Sequence, residues 1–343
     1  MDPIGLTKDL VGIGSPTGSE KALADHVAGL FDRPPFRVLR QPVEAGRDNL
    51  FITAGEEVPR VVLCTHMDTV PGAAELREDA EFLFGRGACD AKGSLAAMSA
   101  AAFRLADGGA RGFGLLFVVG EETDSLGART ADALGTGSGA LIVGEPTGNK
   151  LGLGHKGVLF VKVIASGRRA HSALPHLGES AVEILLDVLN DIRAADFGAD
   201  PVLGRTLLNI GRIEGGIAAN VVADEAQAVL GLRPAVACAE VLARLADAVA
   251  GRAKLDILTT AEPQQLWTLP GFETAVFPFG TDCPHLRAFG RPFLIGPGEA
   301  RWAHAADERI AKSAILAAVP LYENLVGRLL DGEDPAAPFG SGK

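Results

Sequence analysis

Apolar residues recur at helical spacing near the N-terminus, at Leu6, Leu10 and Val11, and again at Leu23, Val27, Leu30 and Phe31. Two helices are predicted there, separated by SPTGSE, with Ser19 as the N-cap of the second. Short apolar runs at 49–53 and 60–64 read as buried strands, and the second leads into Thr65-His66-Met67-Asp68. A glycine-rich loop, RGACDAKG, then opens an alanine-rich stretch predicted to be a buried helix over 92–106. The run GLLFVVG delivers Glu121 and Glu122 at its end, a helix is expected over 128–134, and ALIVG delivers Glu145. Strands and helices alternate, the pattern of an α/β domain with a central, mostly parallel sheet flanked by helices. Carboxylates and a histidine stand at the C-terminal ends of successive strands, the edge at which open α/β sheets bind ligands.

From His155 the pattern changes. HKGVLFVKVIASG alternates like a half-exposed strand, SAVEILLDVLNDIRAA is an amphipathic helix, LLNIGRIEGG and AQAVLGLRP are two more strands, and the helix AEVLARLADAVAGRA and strand KLDILTTA follow. That β-α-β-β-α-β order predicts a ferredoxin-like α+β domain over 156–263, inserted in a discontinuous domain of 1–155 and 264–343. After it, FLIGPG and ERIAKSAILAAVPLYENLVGRLL return to buried strand and helix patterns, and the tail DGEDPAAPFGSGK is expected to fray.

Of the 343 residues 47 % are hydrophobic and 22 % charged, a balance that excludes an intrinsically disordered chain. The formal net charge of -11, with no cluster of lysine and arginine, argues against nucleic acid as a partner, since a phosphate backbone needs a basic face. Four cysteines, Cys64, Cys89, Cys238 and Cys283, lack disulfide-like spacing and read as reduced thiols. The N-terminus does not read as a secretory signal, and no apolar run reaches the roughly 18 residues of a membrane span. A cytoplasmic protein without a membrane partner is the expectation.

A catalytic zinc-type site needs several His, Asp or Glu ligands converging from different elements. His66, Asp90, Glu122, Glu145 and His304 each end an apolar strand or sit in a glycine-rich loop beside one. One such residue alone is usually a cap or a rim group; five in order carry the argument. LCTHMDTVPG, GRGACDAKG, VVGEETDSLGA, IVGEPTG and GPGEARWAHAADE together resemble the successive signatures of the M20 metallopeptidase family. That family includes acetylornithine deacetylase, succinyl-diaminopimelate desuccinylase, the lysine-biosynthesis deacylase, aminoacylase and carboxypeptidase G. The resemblance spans essentially the whole chain.

The resemblance implies two divalent ions, zinc with cobalt or manganese as alternatives, bridged by Asp90. His66 and Glu145 would hold one ion, and Glu122 and His304 the other. Asp68 would accept the second ring N–H of His66 and fix its tautomer. Glu121 would be the general base, and His171 would polarise the scissile carbonyl of a neighbouring site across a homodimer formed by the inserted lid domain. Asn220 and Arg233, with the turn amides of Gly296 and Gly298, would bind a substrate α-carboxylate. The segment VPGAAELREDAEFLF is short and lacks the Trp and Pro-Phe that many relatives carry, so it is most similar to the lysine-biosynthesis deacylase and acetylornithine deacetylase branches. Glu145 in place of Asp points the same way. The expected reaction is removal of an acyl group, acetyl above all, from an amino acid such as ornithine, lysine or citrulline, which would place the enzyme in arginine or lysine biosynthesis. A dipeptidase or carboxypeptidase and a succinyl-diaminopimelate desuccinylase are the alternatives on the same scaffold. A non-catalytic binding protein would require a lost ligand or base, and none is missing.

Overall fold

The first helix, α1 (Pro3–Gly12), begins behind Asp2, whose carboxylate accepts from the amides of Ile4 and Gly5. Helix α2 (Lys21–Leu30) starts from Glu20 without a side-chain cap, so the predicted Ser19 cap does not form. The Ser19 amide instead closes a turn onto the Pro16 carbonyl, and Glu20 is committed to the Arg47 guanidinium at 2.7 and 2.9 Å. Strands β1 (Phe36–Glu44) and β2 (Arg47–Ala54) form a hairpin. There follow β3 (Val61–His66), α3 (Gly93–Asp107), β4 (Phe113–Val118), α4 (Leu126–Asp132) and β5 (Ala140–Val143). The chain then builds β6 (Val158–Ser166), α5 (Ala181–Ala194), β7 (Leu207–Gly215), β8 (Glu225–Arg233), α6 (Cys238–Val249) and β9 (Lys254–Ala261). It ends with β10 (Arg291–Leu294) and α7 (Lys312–Leu330).

The computed structural model describes residues 1–55, 58–72, 74–134 and 137–338. It divides into one unit of Met1–Leu153, Leu266–Ala275 and Thr281–Lys343, and a second of Gly154–Gln265 with Val276–Gly280. The stretch Val276–Gly280, expected with the first unit, groups with the second.

In the first unit the six strands run in the order β1-β2-β4-β3-β5-β10. The four from β4 to β10 are mutually parallel, and the β1–β2 hairpin adds two antiparallel strands at one edge. Strands β3, β4 and β5 are buried along their whole length, as strands covered on both faces must be. Alanines dominate α3 because it is buried on nearly every side, and small side chains let α7 approach it closely. Tyr322 on α7 is fully buried and donates its hydroxyl to the Ile295 carbonyl at 2.9 Å, so the core carries no unpaired phenol. The tail is tied down further than expected, for Thr268 and Ala336 exchange backbone hydrogen bonds of 3.2 and 2.9 Å; residues 339–343 lie outside the described residues.

In the second unit the antiparallel order β7-β8-β6-β9 with α5 and α6 is the ferredoxin-like arrangement. Its core is closed by Leu185, Val188 and Ile192 of α5 with Val241 and Leu245 of α6. All four cysteines are buried and free.

Candidate active site

Strand β3 ends at His66 in the middle of the sheet, where the neighbouring β4 and β5 end as well. The residues that follow these strands, Asp68, Glu121, Glu122 and Glu145, therefore gather at one edge. Asp90 arrives from the turn before α3, and His304 from a loop in which its own φ is +60°, a left-handed conformation uncommon outside glycine. His66 Nε2 lies 3.1 Å from Asp90 Oδ1 and 4.0 Å from Glu145 Oε2. His304 Nε2 lies 3.3 Å from Asp90 Oδ2 and 2.9 Å from Glu122 Oε2. Asp90 thus turns one oxygen toward each imidazole. Donor atoms of His66, Asp90 and Glu122 all fall within 4.8 Å of one another, the spacing of groups that could share a metal ion.

Asp68 acts differently from the expectation. The His66 Nδ1 hydrogen bond goes to the Asp68 backbone carbonyl at 2.9 Å, while the nearest carboxylate oxygen stands at 3.6 Å. That carboxylate instead accepts from the amides of Glu121 at 3.1 Å and Glu122 at 3.2 Å and from the Thr17 hydroxyl at 2.7 Å. One residue therefore fixes both the imidazole and the turn that presents the two glutamates. The Asp68 carbonyl, which can only accept, holds the proton on His66 Nδ1 and leaves Nε2 free to face Asp90.

The electrostatics describe a site short of positive charge. Burial pushes the carboxyls of Glu121 and Glu145 well above the usual range; His66 pulls both back down, while neighbouring carboxylates raise them further. Burial opposes protonation of His66, but its contacts with Asp68 and Asp90 outweigh that and hold it well above an ordinary imidazole. Hydrogen bonds to Asp90 and Glu122 lift His304 to about 10. A further carboxylate, Asp282, is buried against the same cluster and pushed up to about 6, chiefly by burial, and its Oδ1 has no hydrogen-bond partner. Among the described residues no lysine or arginine lies within ion-pair distance of Asp68, Asp90, Glu121, Glu122, Glu145 or Asp282. Six carboxylates against two imidazoles is a donor set that divalent cations fit, and the mix of nitrogen and oxygen donors suits zinc, cobalt or manganese.

Asp282 escaped the sequence reading because GTDC presents an ordinary loop carboxylate. Glu308 escaped for the same reason, although it closes the quoted stretch HAADE. Cys89 and Cys283 are both buried, and burial pushes the Cys283 thiol up to about 12, so neither is poised as a nucleophile.

The turn at Gly296 and Gly298 is a packing device at its first glycine. The Gly296 amide donates to Thr147 Oγ1 at 2.9 Å, so it is not free for a substrate carboxylate, and a Cβ there would meet the Glu145 carbonyl at 2.5 Å. Gly298 adopts φ +88° with Cys89 Sγ 2.8 Å from where a Cβ would sit. In the second unit, His171 pairs with Val221, and Ser172 donates its amide to the Asn220 carbonyl at 3.0 Å, which brings His171 and Asn220 together. Arg233 closes the other end of β8. Its half-buried guanidinium has no carboxylate within ion-pair distance among the described residues and stands 5.8 Å from the Phe160 ring.

Comparison with known proteins gives a consistent result. The model of "Peptidase family M20/M25/M40" matches residues 62–328. A protein of Aspergillus terreus named "Probable carboxypeptidase" is 36 % identical over 94 % of this chain and 85 % of its own length. Among solved structures, the aminopeptidase PepT of Bacillus cereus superposes with a TM-score of 0.79 at 20 % identity, covering 96 % of this chain and 98 % of that one. The YXEP protein of Bacillus subtilis, described as a dinuclear metal binding peptidase from the M20 family, superposes with a TM-score of 0.71 at 14 % identity over 96 % and 98 % of the two chains.

Proposed function

The chain belongs to peptidase family M20/M25/M40, and from that premise we propose that it is a carboxypeptidase-type amidohydrolase that cuts the amide bond beside a free α-carboxylate. The carrying observation is the convergence of His66, Asp90, Glu122, Glu145 and His304 around one cluster, with Glu121 at its edge. A relative named as a carboxypeptidase moves the substrate from an acetylated ornithine or lysine toward a dipeptide or short peptide. The bond is the same in both, an acyl carbonyl joined to the nitrogen of an α-amino acid.

His66 and Glu145 on one side and Glu122 and His304 on the other would hold a pair of divalent ions, with one Asp90 oxygen facing each side. Bound there, the ions supply Lewis-acid polarisation of the amide carbonyl and a water acidified toward neutrality. Glu121 takes a proton from the attacking water and delivers it to the nitrogen of the leaving amino acid. Its position is set through its backbone amide, which Asp68 holds. Arg233, which has no carboxylate within ion-pair distance among the described residues, would supply the guanidinium for the substrate α-carboxylate.

His171 pairs with Val221, ahead of the start of β8 at Glu225, and Arg233 ends that strand, eight residues beyond Glu225 or about 26 Å along an extended strand. A dipeptide is too short to touch both ends. We therefore assign His171 and Asn220 to the site of a second copy, in a homodimer.

The test is a substrate panel of dipeptides with free and amidated C-termini, N-acetylornithine, N-acetylcitrulline and succinyl-diaminopimelate. Peptides with a free C-terminus should be cleaved and their amides should not. Equal cleavage of the amidated peptides, or a requirement for a free N-terminus, overturns the reading. Glu145 and the short 69–84 segment favour N-acyl amino acids as a second reading, and the same panel separates the two. Glu121→Gln should lower kcat by roughly 10²- to 10⁴-fold while the protein still binds two metal ions; near-normal turnover would remove Glu121 from the base role.

A further inference from the structure

We infer that Glu308 is a positioning residue for the shared ligand Asp90, and that metal affinity depends on it through the backbone. Glu308 is 1 % exposed. Its Oε1 accepts the amides of both Cys89 at 3.1 Å and Asp90 at 3.0 Å, while its Oε2 accepts from Arg86 Nη1 at 2.8 Å. Its own carbonyl accepts the Gly85 amide at 3.0 Å. One glutamate thus holds the loop 85–90 at its start, middle and end.

That loop has little to hold itself. Gly85 and Gly87 have φ of +148° and +82°, and Asp90 sits at φ -126°, ψ 94°, outside the helix that follows. The amides of Cys89 and Asp90 therefore need an acceptor from elsewhere in the fold, and without one they would be buried donors with no partner. A glutamate present only to pair with Arg86 has no need to reach two successive amides. Here both go to one oxygen, directly behind the carboxylate that faces His66 and His304. His304 lies four residues earlier on the same segment, so a single stretch of chain, 304–308, fixes one imidazole and the backbone of the carboxylate it meets. Support of this kind behind a ligand typically governs metal affinity by roughly 10- to 100-fold.

The inference rests on reading Asp90 as the shared ligand, and the experiment separates the two. Zinc is titrated calorimetrically into metal-free wild type, Glu308→Ala, Glu308→Asp and Glu308→Gln, and the thermal midpoint of each metal-free protein is recorded. Glu308→Gln keeps a carbonyl oxygen for the two amides and gives up only the Arg86 contact, so it should retain most of the affinity. Glu308→Ala loses the acceptor, and Glu308→Asp draws it back by one methylene. Both should bind zinc roughly 10- to 100-fold more weakly than the glutamine variant. Should the alanine variant fail to fold, the aspartate and glutamine variants still give the comparison. Wild-type affinity in a folded Glu308→Asp or Glu308→Ala, with only the thermal midpoint lowered, reduces Glu308 to a structural ion pair and overturns the inference. A wild type that takes up no metal overturns the metal-centre reading itself, and this inference with it.

Discussion

His155 is buried, and burial pulls its pKa down to about 4 despite a hydrogen bond to the Lys156 carbonyl at 3.0 Å. The unfolded chain takes up this proton near pH 6.5, whereas the folded chain does so only near 4. The contribution is therefore whole above pH 6.5 and drains away as pH falls toward 4, up to on the order of 3 kcal/mol by linkage. His155→Gln should flatten that slope, read as urea midpoints at pH 7 and pH 5. An identical acid slope in both proteins would refute the assignment. At this scale the sequence revealed residue types better than atoms. His66, Asp90, Glu122, Glu145 and His304 were legible because each is a ligand type closing an apolar run or seated in a glycine-rich loop. That the Asp68 carbonyl, not its carboxylate, meets the imidazole depends on a turn geometry no spacing encodes. Nor does sequence show that Glu308 is buried against Arg86, a partner 222 positions away.

Among the elements, the turn after β4 decides where Glu121 and Glu122 stand. Asn49, buried on β2, accepts the Val119 amide at 3.1 Å and donates to the Gly127 carbonyl at 2.8 Å and to Gln41 Oε1 at 2.9 Å. Asn49→Leu strands a buried donor and should cost about 1–3 kcal/mol in a denaturant titration. Because the glutamates begin two residues beyond Val119, kcat should fall as well. A loss of stability with kcat untouched would show that the turn is held by Asp68 alone. Gly127 tightens the same clamp, since a Cβ there would stand 2.2 Å from the Val119 carbonyl. Most elements were readable from period and apolar runs, including all six of the ferredoxin-like unit. Strand β1 was not: only its first residue is buried, and Pro42 interrupts it, so it offers neither an apolar run nor a clean alternation. The Ser19 cap does not form because Ser19 closes a turn onto Pro16 through its backbone amide and the helix starts one residue later, behind Glu20, whose carboxylate is held by Arg47.

For the whole molecule, the assignment of His171 and Asn220, which lie ahead of β8 while Arg233 ends it, to a second copy is a claim about assembly. Glu121→Gln and His171→Ala should each be inactive alone. Mixed after dissociation and reassociation, they should recover roughly a quarter of wild-type activity, because half of randomly paired twofold dimers contain one site with both residues intact. No recovery in a sample shown to contain mixed dimers would place His171 in its own chain's site or outside catalysis. The insertion itself has a further result. Strands β5 and β10 lie side by side, Ala140 opposite Arg291, although the entire second unit is encoded between them. On the ribosome, the ferredoxin-like segment emerges as one uninterrupted stretch and can fold while the larger sheet still waits for its last strand. His304 emerges later still, after every carboxylate it is to join. A nascent chain stopped short of that codon therefore carries every carboxylate of the site with one of its two imidazoles missing, so the full donor set exists only at the closing moments of synthesis.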